Sequence, residues 1–136
     1  MNNHPYWRAY MAGIATPTMF LLAVMTGFTV LRYVYDFPVA VERVIVFPMA
    51  MVPNLWGLWN VLYLRMRGGR HLPLGAHGAI LPFLLAPAGM LMARLIHAEA
   101  LLHSEFLLVG FPMGVLAYYL AWKHLVGFFN RTLGIA

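Results

Sequence analysis

Four long apolar segments alternate with short polar segments along the whole chain. Residues 9–31, 44–64, 72–93 and 106–122 contain no Asp, Glu, Lys or Arg. Each segment is close to the length of roughly 20 residues that a helix needs to cross ~30 Å of hydrocarbon. The pattern therefore predicts an all-α fold, a four-transmembrane-helix bundle. We expect one integral membrane domain over residues 1–136, with spans of about 9–31, 44–64, 74–96 and 105–129.

The composition supports a membrane rather than an aqueous environment. The chain is 62% hydrophobic and only 10% charged, whereas a soluble domain carries roughly 25% charged residues. A chain of this length cannot bury so much apolar surface in one aqueous core. There is no cysteine, which excludes disulfides and thiolate-bound metals.

The charged residues predict the orientation in the membrane. Six cations lie on the side of the termini and the second connection, namely Arg8, Arg65, Arg67, Arg70, Lys123 and Arg131. The other side has three cations, Arg32, Arg43 and Arg94, together with all four acidic residues. The positive-inside rule places both termini in the cytoplasm, and we expect a bacterial-type plasma membrane. Since the cations follow helix ends and form no soluble basic patch, nucleic acid is not an expected partner.

The two halves of the chain share a weak internal similarity. Phe47-Pro48-Met49 and Phe111-Pro112-Met113 are 64 positions apart, as are Arg67 and Arg131. Such a spacing suggests two tandem helical hairpins of the same orientation. Chance is the alternative explanation, because a chain rich in Phe, Pro and Met repeats short motifs readily.

The densest polar cluster is expected at the outer face. It comprises Asp36, Glu42, His97, Glu99, His103 and Glu105. Histidine and carboxylate side chains together could bind a divalent cation, although their spacing matches no known ligand motif. The alternative is a structural clasp, in which Glu42 or Glu105 contacts an Arg or His of the other hairpin.

Two histidines raise the alternative of a haem site. His77 lies near the start of the third helix and His124 near the end of the fourth, so antiparallel packing would place them at similar depth. Bis-histidine haem ligation in a bundle needs histidines on facing helices. A short connection between these helices argues against the necessary width. The sequence requires no cofactor and leaves haem or a divalent cation as alternatives.

A polar lining is the third candidate site. Thr16 and Thr18 in the first helix could face Asn54 and Asn60 in the second, and prolines interrupt all four spans. Helices broken near mid-depth form the sites of many transporters, and we expect a break at Pro53. The alternative is that these side chains join helices by hydrogen bonds. No ionisable residue lies at mid-depth, which argues against ion-coupled transport.

These observations predict a small polytopic membrane protein without enzymatic activity. It would be an accessory subunit of a membrane assembly, or a small transporter or lipid-binding protein. A b-type haem electron carrier using His77 and His124 is one alternative, and an interfacial lipid-modifying enzyme is another. The expected partners are the lipid bilayer and either further copies of the chain or a larger membrane complex.

Overall fold

The computed structural model describes residues 4–39, 41–69, 71–95 and 106–135, and within these ranges the chain is helical, with no strand. The helical residues form four helices. Helix α1 is Pro5–Val34, α2 covers residues 41–66, α3 covers 74–95 and α4 covers 106–132. The predicted all-α fold with four helices is confirmed.

Helix α2 changes its winding around a proline. It is α-helical over Val41–Val44, π-helical over Ile45–Met49 and α-helical again over Ala50–Met66. Pro48 lies inside the π-helical turn. Because proline has no N–H, it cannot donate to the carbonyl four residues earlier, and the i→i+5 spacing of a π-turn offers the next N–H instead.

The break predicted at Pro53 is not found there, and the irregular winding of α2 is the π-helical turn that contains Pro48. Pro53 itself lies inside the regular α-helix Ala50–Met66. The side-chain amide of Asn54 donates a 2.8 Å hydrogen bond to the carbonyl of Ala50. This bond ties the Asn54 side chain to its own helix, whereas the carbonyl that Pro53 deprives of a backbone donor is that of Met49, four residues earlier.

Helices α3 and α4 are also composite. In α3, Leu74–Ala79 and Leu81–Leu95 meet at Ile80, just before Pro82. Helix α4 comprises the π-helical Phe106–Gly110, the α-helical Phe111–Ala121, the π-helical Trp122–Val126 and the α-helical Gly127–Thr132. These changes alter the direction of side chains without ending the helix.

Glycine allows α1 and α2 to pack closely. A Cβ atom on Gly13 would lie 2.6 Å from the carbonyl oxygen of Trp56 and 2.8 Å from the Cα of Gly57. Such distances are too short for any side chain, so the two backbones touch at this level. Small residues at a helix crossing permit this approach, which is typical of membrane helices.

Glycine has the same role where α3 packs on α4, but its neighbours are aromatic rings. A Cβ on Gly75 would lie 2.9 Å from the ring of Tyr119, and one on Gly78 would lie 1.9 Å from Cγ of Trp122. Helix pairs α1–α2 and α3–α4 are thus both closely packed, by different contacts. The tandem duplication of hairpins stays a prediction.

The carboxyl end of α4 is capped by the chain that follows it. Gly134 has a φ of +64°. Its N–H donates to the backbone carbonyl of Arg131 (3.0 Å), and the N–H of Ile135 donates to the backbone carbonyl of Asn130 (2.7 Å). This is the Schellman arrangement. The side chains of Arg8 and Arg67 donate to the backbone carbonyls of Gly134 and Ile135, respectively. These two arginines, which the sequence places on the side of the termini, therefore complete the cap.

Two of the helices have the length and composition needed to cross a membrane. They are Pro5–Val34 and Leu74–Met92, taken over the part of the chain that the structure describes. In α2 and α4 the π-helical turns divide the helix into shorter α-helical stretches.

Candidate functional site

An apolar cleft of about 750 Å³ lies between α1, α2 and α4. Its walls include Thr16, Phe20, Trp56, Ala117, Tyr118 and Leu125. Met19 and Phe20, which line the cleft in the middle of α1, are 63% and 67% exposed, so the cleft is open at the side of the bundle at this level. Its α4 wall extends as far as Phe129, near the end of that helix.

Aromatic contacts fix the rear wall of the cleft. The ring of Trp56 lies 5.0 Å from that of Tyr118 and 5.3 Å from that of Trp122. Trp56 is 4% exposed and Trp122 is fully buried, and both belong to one core cluster with Leu81. Since interlocked aromatic rings have few alternative rotamers in a packed core, this wall is preformed.

Two residues of the cleft carry buried polar atoms with unused hydrogen-bonding capacity. The hydroxyl of Thr16 and the indole nitrogen of Trp56 are buried and have no hydrogen-bond partner among the described residues. An unsatisfied buried polar group costs about 1–3 kcal/mol. A polar atom of a bound ligand that forms a hydrogen bond with either group would offset this cost.

His77 joins α2 to α3 through its ring and its backbone carbonyl. Its Nε2 lies 3.1 Å from the carbonyl of Trp59, and the indole N–H of Trp59 donates to the carbonyl of His77 over 2.8 Å. Because a carbonyl only accepts, Nε2 carries the proton. The rings of His77 and Trp59 also stack, with centroids 4.8 Å apart. Haem ligation through Nε2 would break this pair, and the other candidate, His124, is exposed.

The two asparagines of the expected polar lining form hydrogen bonds with residues other than Thr16 and Thr18. Asn60 is 1% exposed, and its amide donates to Ala9 and to Asn130, each over 2.7 Å. Asn54 accepts a hydrogen bond from the hydroxyl of Tyr10. Of the two threonines, Thr16 lines the cleft and Thr18 is half-buried in α1. The structure therefore places Thr16 at a cavity and the asparagines at helix contacts.

The outer-face cluster is described only in part. Glu42 pairs with Arg32 over 2.7 Å, and both belong to the first helix pair rather than to opposite pairs. A hydrogen bond from its own backbone N–H and the Arg32 guanidinium lower the pKa of Glu42. Asp36 follows α1 with a positive φ. The remaining members, His97, Glu99, His103 and Glu105, lie outside the described residues.

Metal binding has no support from the part of the chain that is described, where no three His, Asp or Glu side chains come together.

The Arg32–Glu42 pair is exposed and worth little stability. Because the pKa of Glu42 is lowered, its contribution is present above the ordinary glutamate pKa. It is lost as the pH falls through the lowered value.

Sequence reasoning missed two important residues. Asn130 lies one residue beyond the predicted span 105–129, although it is 3% exposed and pairs with Asn60. Trp122 lies within that span and has no predicted role, although it is fully buried over Gly78. The spacing of Gly75 and Gly78, which puts two small residues on one face of α3, was the available signal for close packing there.

No protein-family model, curated protein or solved structure matches this chain. The functional proposal therefore depends on the residues and geometry described above.

Proposed function

We propose that this chain is a four-span integral membrane protein that binds a lipid acyl chain in the cleft between α1, α2 and α4. It would act as a lipid-binding protein without catalysis of its own. The observation that carries the proposal is the cleft itself, apolar and open toward the side of the bundle.

The exposed apolar surface supports the membrane part of the proposal. Only 17% of the most apolar stretch of α1 and 33% of that of α3 are buried, unlike the core helix of a soluble protein. Large apolar side chains such as Phe20, Leu108 and Met113 are 67%, 76% and 66% exposed. Helices α2 and α4 continue through their π-turns, and at 1.5 Å per residue each exceeds ~30 Å.

The dimensions and lining of the cleft favour an acyl chain. Its volume of about 750 Å³ lies within the ~300–1,000 Å³ usual for small-molecule sites. A cleft that opens sideways within the hydrocarbon is reached by lipid tails and not by water-soluble ligands.

The membrane topology is tested with reporter fusions. Because the cations concentrate on the side of the termini, we expect a reporter placed after Gly69 to behave as cytoplasmic and one near Glu99 as external. Alkaline phosphatase and green fluorescent protein fusions report the two sides. The reverse result at either position would contradict the four-span arrangement.

The cleft is tested by filling it. Ala117 lines the cleft, so Ala117→Phe should occupy the space that a lipid tail needs. The neighbouring Leu116 is 58% exposed and is not part of the cleft lining. We expect native mass spectrometry in mild detergent to find a bound lipid on the wild type and on Leu116→Phe. On Ala117→Phe its occupancy should fall about tenfold, as when a ligand loses roughly 1.4 kcal/mol.

Equal lipid occupancy in Ala117→Phe and Leu116→Phe would contradict the proposal, provided that both variants keep the wild-type thermal stability. Retained lipid in both would then be annular lipid on the outer surface. Absence of lipid from the wild type after purification and addition of phospholipid would also contradict it.

A further inference from the structure

A second pocket, smaller and basic, lies at the terminal end of the bundle. Its volume is about 230 Å³, and it is lined by parts of α2, α3, α4 and the cap that follows α4. Three of its residues are cations, Arg67, Lys123 and Arg131. Tyr63 and Asn130 add polar groups to the wall.

Among the residues that the structure describes, no acidic side chain lines this pocket. The ion pair formed within the described ranges, Arg32–Glu42, lies at the carboxyl end of α1. In the sequence, acids occur only in the first and third connections. The three cations are exposed, so solvent and salt weaken their mutual repulsion. Because they line one pocket, an anion bound there would be attracted by all three.

The donors of the pocket are only partly used by the protein. Arg67 donates from Nη1 to the carbonyl of Ile135, which leaves its other N–H groups available and holds the guanidinium in place. Lys123 lies 5.8 Å from the centroid of the Tyr119 ring. A planar guanidinium and an ammonium group are the side chains that bind phosphate oxygens best.

From this convergence we propose that the basic pocket binds a phosphate group, either of an anionic phospholipid or of free phosphate. The pocket lies at the level of the ends of α2 and α4 and the start of α3, where the headgroups of the cytoplasmic leaflet would be. Basic pockets between helices on this side are suited to anionic headgroups. The location at a headgroup layer rests on the membrane assignment proposed above.

This site is distinct from the apolar cleft. The cleft uses Ala117, Ala121 and Leu125 of α4, whereas the basic pocket uses Lys123 and Gly127, which lie on another face of the same helix. A lipid held by its headgroup in the basic pocket therefore does not need to place its tail in the cleft. The two sites can be tested separately.

The experiment measures binding to the purified full chain in non-ionic detergent by calorimetric titration. The probes are dihexanoyl phosphatidylglycerol, zwitterionic dihexanoyl phosphatidylcholine and inorganic phosphate. The variants are Lys123→Gln and Arg131→Gln. Arg65→Gln is the matched control, because Arg65 is an exposed cation on the same side and not part of the pocket lining. Arg67 is kept because it also caps α4.

We expect phosphatidylglycerol to bind the wild type and Arg65→Gln with similar affinity. Lys123→Gln and Arg131→Gln should each weaken binding about tenfold, the loss typical of one charge-assisted hydrogen bond. Phosphatidylcholine should bind much more weakly. If inorganic phosphate binds as tightly as phosphatidylglycerol and is weakened by the same variants, the ligand is free phosphate and the site stands.

An equal loss in Arg65→Gln and in the two pocket variants would mean diffuse attraction by net charge and would overturn the proposal. So would the absence of binding of both anionic probes to the wild type. Ala117→Phe should keep the binding of phosphatidylglycerol, so failure of the cleft and failure of the basic pocket give different results.

Discussion

Replacing Gly78 by alanine should strongly destabilise the protein, although it adds only one methyl group. A Cβ at this position would lie 1.9 Å from Cγ of Trp122 and 2.4 Å from its Cβ. Trp122 cannot move aside easily, because it is fully buried against Trp56 and His77. Overpacking a well-packed core costs about 1–3 kcal/mol, and more where the neighbour is fixed. We expect a loss near the upper end in thermal or chemical unfolding in detergent.

Other glycines provide the controls for this substitution. A Cβ on Gly27 or Gly114 would meet no atom within 4 Å, so alanine there should be neutral. It could also add up to about 1 kcal/mol through its better helix propensity. A Gly78→Ala variant as stable as Gly114→Ala would contradict the packing of α3 on α4.

The positions of the helices could be predicted from sequence because each follows from a long apolar segment. The first helix was expected over 9–31 and is found over Pro5–Val34. The difference at its start reflects Pro5, whose fixed φ and missing N–H suit the first position of a helix. Tyr6 and Trp7 therefore join the helix although they lie outside the apolar run.

The pairing between helices could not be predicted in the same way. Membrane helices are apolar on several faces, so periodicity gives little information on which face meets which neighbour. Asn60 was expected to face the threonines of α1, and it instead bonds to Asn130 and to the backbone of Ala9. The partner Asn130 lies beyond the predicted end of the span at residue 129, because α4 continues to Thr132 before the cap at Gly134.

The candidate cleft was accessible to sequence reasoning only through Thr16. The cavity exists because Ala117 and Ala121 of α4, which have small side chains, face α1 and α2 at the level of Trp56. Which residues of α4 face the other helices depends on the rotation of each helix about its own axis. The π-helical turn Trp122–Val126 contributes to that rotation without any proline in its sequence. The basic pocket likewise combines residues from three helices that no linear motif connects.

The buried amide pair between α2 and α4 is expected to be strongly coupled. Asn60 donates to Asn130 over 2.7 Å and accepts from it over 3.1 Å, and the two residues are 1% and 3% exposed. Replacing Asn60 by leucine would leave both polar groups of the Asn130 amide without their partner. The cost should be about 2 kcal/mol, the desolvation penalty of an unsatisfied buried amide.

A double-mutant cycle separates this coupling from simple loss of packing. If each single leucine substitution orphans the other amide, then Asn60→Leu combined with Asn130→Leu should cost less than the two single losses added together, by about 1–2 kcal/mol. Asn54→Leu is the matched control in the same helix, since Asn54 is exposed and should not couple to Asn130. Chemical unfolding in detergent gives the four free energies of the cycle. Additive losses at Asn60 and Asn130 would contradict a direct amide pair, because residues that bond each other through two hydrogen bonds cannot contribute independently to stability.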